Sequence, residues 1–262
     1  MSSVPPLAGS RVWVTGASAG LGESLARYAS DRGAHVVLSA RRTESLEAVA
    51  KTLAPDTWTI VPFDLTAPAS FPAAVEAAGP VDHLVNNGGI SQRSLALDTG
   101  PEVTRRVMET NFFGHVELSR LVLPGMLARG RGHVAVVSSV VGHFGTPWRS
   151  SYAASKHALH GYFDSLRYEL RDTPVGISIV CPGFIHTDIS VNAVTGTGEA
   201  LGTMDDGQAN GMEPEEFARR AWRGLLRGKD EVYVGGQEIG GIYLKRYAPR
   251  VLDWMIRRRG VR

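Results

Sequence analysis

Apolar residues in this chain fall into short unbroken runs, and longer stretches with helical spacing separate them. The runs predict strands at Arg11–Thr15, His35–Ala40, Trp58–Phe63, Val81–Asn86, His133–Ser138, Val175–Cys181 and Glu231–Val234. Most are near-continuously apolar rather than alternating, as strands covered on both faces are. Helices are predicted at Leu21–Asp31, Glu44–Leu53, Pro101–Arg129, Ser151–Arg171 and Pro214–Leu226. Strand and helix alternate, which implies βαβ units with right-handed crossovers. The expected architecture is α/β, a doubly wound parallel sheet of about seven strands flanked by helices. No repeat, low-complexity block or linker interrupts it, so residues 1–262 are read as a single domain. Two segments stand outside the alternation. Residues 190–211 are rich in Gly, Thr, Asn and Ala and are read as a flap. Residues 240–262 are read as a basic helical tail.

Composition narrows the classes. A single thiol, Cys181, forms no internal disulfide and no cysteine-rich metal cluster. No apolar run approaches the ~20 residues that span a bilayer. The first residues carry neither a basic region nor an apolar core of a secretory signal, so a cytoplasmic location is expected. From Arg219 to Arg262 there are 12 basic and 4 acidic residues, against 16 and 22 in the remainder. A basic tail of this kind favours anionic partners or is a solvated face.

Thr15–Gly22 (TGASAGLG) follows the first strand and opens the first helix. Gly16 permits the tight turn, Gly20 lets backbone approach a pyrophosphate, and Gly22 lets helix pack on strand. Amides at the helix start then face phosphate. In a Rossmann-type sheet the end of the second strand reads the adenosine ribose, commonly with an acid for the 2′-hydroxyl. Here Arg41 and Arg42 stand there, with no acid between Asp31 and Glu44. Guanidinium groups match a 2′-phosphate, so NADP(H) is the expected cofactor.

Tyr152 and Lys156 lie four apart at a helix start, on one face. A phenol titrates too high for acid–base work near neutrality, and an adjacent ammonium is expected to lower it. Tyr-x-x-x-Lys alone also fits an amphipathic surface pair. Its neighbours give it meaning: Asp64-Leu65, Asn86-Asn87-Gly88-Gly89, Asn111, Ser138-Ser139, and Pro182-Gly183 followed by Thr187.

With these motifs in this order, the chain resembles the short-chain dehydrogenase/reductase family, in its one-domain branch, from about Arg11 to Arg227. Gly88 stands where the family usually has Ala. The resemblance implies a catalytic set of Asn111, Ser139, Tyr152 and Lys156. Tyr152 would exchange the proton, Ser139 would hydrogen-bond the carbonyl oxygen, Lys156 would hold the nicotinamide ribose, and Asn111 would position a water. It implies cofactor contacts from Gly16, Ser18, Gly20, Leu21, Gly22, Arg41, Arg42, Asp64, Leu65, Asn87, Gly88, Gly89, Tyr152, Lys156, Pro182, Gly183, Ile185 and Thr187. NNGGISQRS and PGFIHTDISVNAV further resemble the subgroup around dehydrogenase/reductase family member 7, a relative of the 11β-hydroxysteroid dehydrogenases. Members are commonly anchored by an N-terminal helix, which this sequence does not show. That likeness implies a hydrophobic ketone or aldehyde and its alcohol as substrate pair. The family resemblance implies a homodimer or homotetramer through the helices of 101–129 and 151–171.

His143, Phe144, Trp148 and Phe184, with Ser139 and Tyr152, are the candidate substrate-pocket residues, and core packing is the alternative for the first four. No metal site is expected, because His157 and His160 have no carboxylate placed to complete a zinc set. The tail has the composition of a helix lying on a membrane surface, and packing on the pocket or on a second subunit are the alternatives. Nucleic acid is not an expected partner, since the aromatic residues are not laid out on a strand platform. A nucleotide-binding sensor without turnover is the rival function.

Overall fold

The apolar runs become seven strands in a computed structural model, which describes residues 4–259. They are β1 (Arg11–Thr15), β2 (His35–Ser39), β3 (Trp58–Ile60), β4 (His83–Asn86), β5 (Gly132–Val137), β6 (Val175–Pro182) and β7 (Glu231–Val234). All pair in parallel, in the order β3-β2-β1-β4-β5-β6-β7. The order reverses between β1 and β4, which opens the crevice where doubly wound sheets bind ligands.

Ten helices are described: α1 (Gly20–Ser30), α2 (Thr43–Ala50), α3 (Phe71–Ala78), α4 (Pro101–Met108), α5 (Gly114–Ala128), α6 (Ser150–Glu169), α7 (Asp206–Ala209), α8 (Pro214–Leu225), α9 (Gly240–Tyr247) and α10 (Pro249–Arg259). Side chains alternate across each strand, so β1 feeds both layers. Val12 and Val14 pack with Leu25, Leu46, Phe217 and Trp222 of α1, α2 and α8. Trp13 points the other way, to Phe71, Leu118, Leu159 and Phe163 of α3, α5 and α6. Two buried indoles find acceptors: Trp13 Nε1 donates to Ser39 Oγ (2.7 Å) and Trp222 Nε1 to the Leu25 carbonyl (3.0 Å).

Three elements differ from the sequence expectation. The helix predicted over 101–129 is broken by a π-helical turn at Glu109–Phe113. There Gly114 lies so close to the Leu65 carbonyl that an added Cβ would sit 2.5 Å from its oxygen. Helix α3 has no counterpart in the prediction. The tail is two helices rather than one, because Pro249 disfavours helical backbone at Ala248. Residues 260–262 of the predicted tail lie outside the described residues. Among the described residues no helix is long and apolar enough to cross a membrane.

Candidate active site

The glycine-rich turn sits where β1 meets α1. Gly16 has φ +65°, and a Cβ there would lie 2.7 Å from Gly88 Cα. Gly20 has φ +58°. A Cβ on Gly22 would meet the Gly16 carbonyl oxygen at 2.1 Å. The turn is pinned to the end of β4: Thr15 Oγ1 accepts from the amides of Asn87 and Gly88 (3.0 Å each), and Asn87 Nδ2 donates to the Thr15 carbonyl (3.0 Å). His115 Nε2 lies 2.6 Å from the Gly88 carbonyl, and burial holds its pKa down to about 3. The ring is therefore neutral, and Nε2 must carry the proton that this carbonyl accepts. No side chain caps the first turn of α1, so its amides are left for a ligand.

At the C-terminal ends of β5 and β6, Ser139, Tyr152 and Lys156 converge on one cleft of about 1270 Å³. Ser139 Oγ accepts from the Val141 amide (3.4 Å), which leaves its own O–H to donate. The Tyr152 phenol is pushed above its ordinary pKa by burial, against the opposing pull of Arg149, Arg93 and Ser139. Lys156 is the other buried member. Burial lowers its pKa to about 8, and its Nζ donates to the Val137 carbonyl (2.8 Å). The expectation that Lys156 lowers the phenol is thus not what the geometry delivers. The cations acting on Tyr152 are the two arginines, and the Lys156 ammonium is 5.7 Å from the ring centroid.

Asn111 lies in the π turn. Its Oδ1 accepts from the Ile90 amide (2.8 Å), and its Nδ2 donates to the Ile90 carbonyl (2.9 Å) and Ser155 Oγ (3.0 Å). Both ends of the carboxamide are spent on protein, so it braces the loop after β4 against α6. Asn111 and Gly22 support the cleft without lining it. The other residues predicted for the cofactor line it, with Arg41 and Arg42 exposed at the β2 end.

Of the predicted substrate residues, Phe144 and Phe184 line the cleft, whereas His143 and Trp148 do not. His143 turns away onto His160 (ring centroids 4.3 Å) and Cys181 Sγ (3.5 Å). Trp148 is 38% exposed and holds φ +67° in the turn before α6. His160 also has the carboxylates that spacing did not reveal: Asp164 and Glu231 offer oxygens close to it, with Glu231 at 3.3 Å. The nearby Cys181 thiol is held protonated by burial, far above its ordinary pKa.

One further contributor is the tail, in the pocket-packing alternative given for it from sequence, and the other is an arginine pair that the sequence reading misses. The tail folds back, so that Leu244, Leu252, Met255 and Ile256 line the cleft, and Leu252 packs with Phe144 and Tyr152. Arg93 and Arg149 also line it, both on Asp205 Oδ2 (2.7 and 3.2 Å).

The profile of the short chain dehydrogenases matches residues 10–197. The chain belongs to the short-chain dehydrogenase/reductase family. Within it, the chain is 40% identical to the dehydrogenase/reductase SDR family protein 7-like of Drosophila melanogaster, over 98% of this chain and 82% of that protein. It is 41% identical to dehydrogenase/reductase SDR family member 7B of Bos taurus, over 91% and 77%. A short chain dehydrogenase of Burkholderia cenocepacia J2315, solved in complex with NADP, superposes with TM-score 0.82 at 27% identity, covering 96% of this chain and 99% of that one. The family is one of oxidoreductases. The short-chain dehydrogenase/reductase from Burkholderia phymatum, solved in complex with NAD, shares the fold at 22% identity and TM-score 0.82, covering 94% and 96%.

Proposed function

We propose that this chain is an NADP(H)-dependent oxidoreductase that interconverts an apolar ketone or aldehyde and its alcohol, with Tyr152 as general acid and base. The observation that carries the reading is the convergence of Ser139, Tyr152 and Lys156 on one cleft with the glycine turn at its other end. The glycine cradle fits a dinucleotide: added Cβ atoms at Gly16 and Gly22 would collide with backbone, and the uncapped start of α1 faces the cleft. When bound, the nicotinamide supplies or accepts the hydride.

The chain's own groups supply the rest. Tyr152 is protonated at neutral pH and gives that proton to the carbonyl oxygen as the alcohol forms. Ser139 directs its free O–H at the same oxygen, where negative charge develops. Lys156 holds the nicotinamide ribose, and Asn111 keeps the β4 loop and α6 in register. Arg41 and Arg42 make no ion pair among the described residues, and their charge suits a 2′-phosphate. The NADP-bound state of the Burkholderia cenocepacia relative supports this reading. Residues 190–211, with only the short α7 as regular structure, are proposed to move over the substrate.

Exposed Phe113 and Tyr168 support self-association through the helical segments 101–129 and 151–171 into a dimer or tetramer. In the tail, exposed Tyr247, Val251 and Trp254 beside Arg250 and Arg257 support peripheral contact with an anionic membrane, which vesicle co-sedimentation tests. The cofactor reading is tested by fluorescence titration with NADPH and NADH, followed by turnover of an apolar ketone panel. NADPH should bind more tightly, and Arg41→Ala should remove about tenfold or more of that preference. Equal binding of the two overturns it.

A further inference from the structure

Two arginines that line the cleft share one carboxylate, that of Asp205. The side chains of Arg93 and Arg149 are 6% and 8% exposed, and Asp205 is 17% exposed. Asp205 Oδ2 accepts from both guanidiniums, while its Oδ1 is committed to the Gln208 amide at the start of α7. Among the described residues no other carboxylate lies within 4 Å of either guanidinium. The group thus carries one uncompensated positive charge in a buried place, where unpaired charge is costly. Part of its donor set is also unspent, although Arg93 gives Nη1 to Ser91 Oγ (2.6 Å) and the Gln92 carbonyl (3.2 Å) and Nη2 to Asp205. Nε of Arg93 and Nε of Arg149 have no partner, and Arg149 makes only the Asp205 bond through its side chain.

The position ties this excess charge to the chemistry. Arg149 stands three residues before Tyr152 at the start of α6, and both arginines line the cleft with it. Arg149 also faces the Phe184 ring (5.9 Å). The same cleft is lined by Val141, Phe144, Leu252 and Ile256, which belong to one apolar cluster. The geometry points to an anion subsite for the substrate: Arg93 and Arg149 receive a carboxylate on the carbonyl compound, whose apolar body lies on the Leu252 side. The unspent N–H groups of the two arginines can each donate to one oxygen of a carboxylate, in charge-assisted hydrogen bonds. One negative charge brings the Arg93–Arg149–Asp205 group to neutrality, whereas a phosphate dianion overshoots it. The substrate class is therefore an amphipathic keto acid. This refines the carbonyl-reductase reading and rests on it.

The test uses the full-length protein with NADPH and a series of methyl ketones bearing a terminal carboxylate at increasing chain length, each beside its neutral methyl ester. A phosphate monoester of matched length is the third arm. The best acid should exceed its ester in kcat/KM by about 30-fold, and Arg149→Gln should shrink that ratio to a few-fold. Arg149→Lys, which keeps the charge, should restore part of it. If acid and ester fall together in Arg149→Gln with their ratio unchanged, the arginines only latch α7, and the inference is overturned. Preference for the phosphate ester overturns the single-charge assignment. Asp205→Asn guards against misfolding of the arginine variants. It removes the internal competitor and should tighten carboxylate binding, where a pure latch predicts no gain. A saturated aliphatic carboxylate lacking a carbonyl separates the two claims by thermal shift. If it stabilises the wild type but not Arg149→Gln while no ketone is turned over, the subsite stands and the reductase reading falls.

Discussion

Lys156 donates its ammonium to the Val137 carbonyl at 2.8 Å, on the strand beneath the cleft, while the Tyr152 ring centroid lies 5.7 Å away. The lysine is thereby a buried cation held by one carbonyl dipole, and burial brings its pKa from 10.5 to about 8.

That burial has a sign in stability. The charged form is disfavoured in the folded protein, so the unfolded chain binds the extra proton between about pH 8 and 10.5. Stability from this site is therefore lowest below about pH 8 and recovers as pH rises through the window, by about 3 kcal/mol in all. Denaturant unfolding of wild type and Lys156→Met, compared across the window, should show the wild type gaining on the variant as pH rises. Parallel curves contradict it.

Buried histidines act in the opposite pH range. His83 is held to about 4 and His115 and His133 to about 3, each chiefly by burial. Below their ordinary 6.5 the unfolded chain takes up protons that the folded one refuses, so stability falls as pH drops from about 6.5 towards 4. Each site contributes up to about 1.4 kcal/mol per pH unit. His115→Gln, which keeps a donor for Gly88, should flatten the acid limb by about one proton, read from chemical denaturation at several pH values.

Two glycines separate steric from conformational cost. A Cβ on Gly22 would meet the Gly16 carbonyl oxygen at 2.1 Å and Asn87 Nδ2 at 2.6 Å, so backbone must move. Gly9 has φ +73° but open space around it. Gly22→Ala should cost about 2 kcal/mol or more and weaken dinucleotide binding. Gly9→Ala should cost about 1 kcal/mol and leave binding alone. Thermal melts and cofactor titration of the pair check both.

What could be read in advance follows from locality. Strands covered on both faces announce themselves as unbroken apolar runs, and the Thr15–Gly22 turn and Tyr152–Lys156 spacing are contiguous. The π turn at Glu109–Phe113 is not legible, because one residue of extra winding leaves the 3.6-residue pattern almost intact. Helix α3 is half alanine, so few large apolar residues mark its buried face in the sequence. His143 follows Ser139 closely in sequence, yet the short 3₁₀ turn at Val140–Gly142 sends it to Cys181 instead of the cleft. Arg93, Arg149 and Asp205 are invisible as a group, since 56 and 112 residues separate the arginines from their shared acid.

The most direct test of the account is NADPH-dependent turnover of the best ketone by Tyr152→Phe, measured beside NADPH affinity in the same preparation. The phenyl ring fills the same space, so folding and cofactor binding should hold, while turnover falls by about 10³-fold for want of a proton donor. Turnover within a few-fold of wild type would contradict Tyr152 as the general acid and, with it, the mechanism proposed for this cleft.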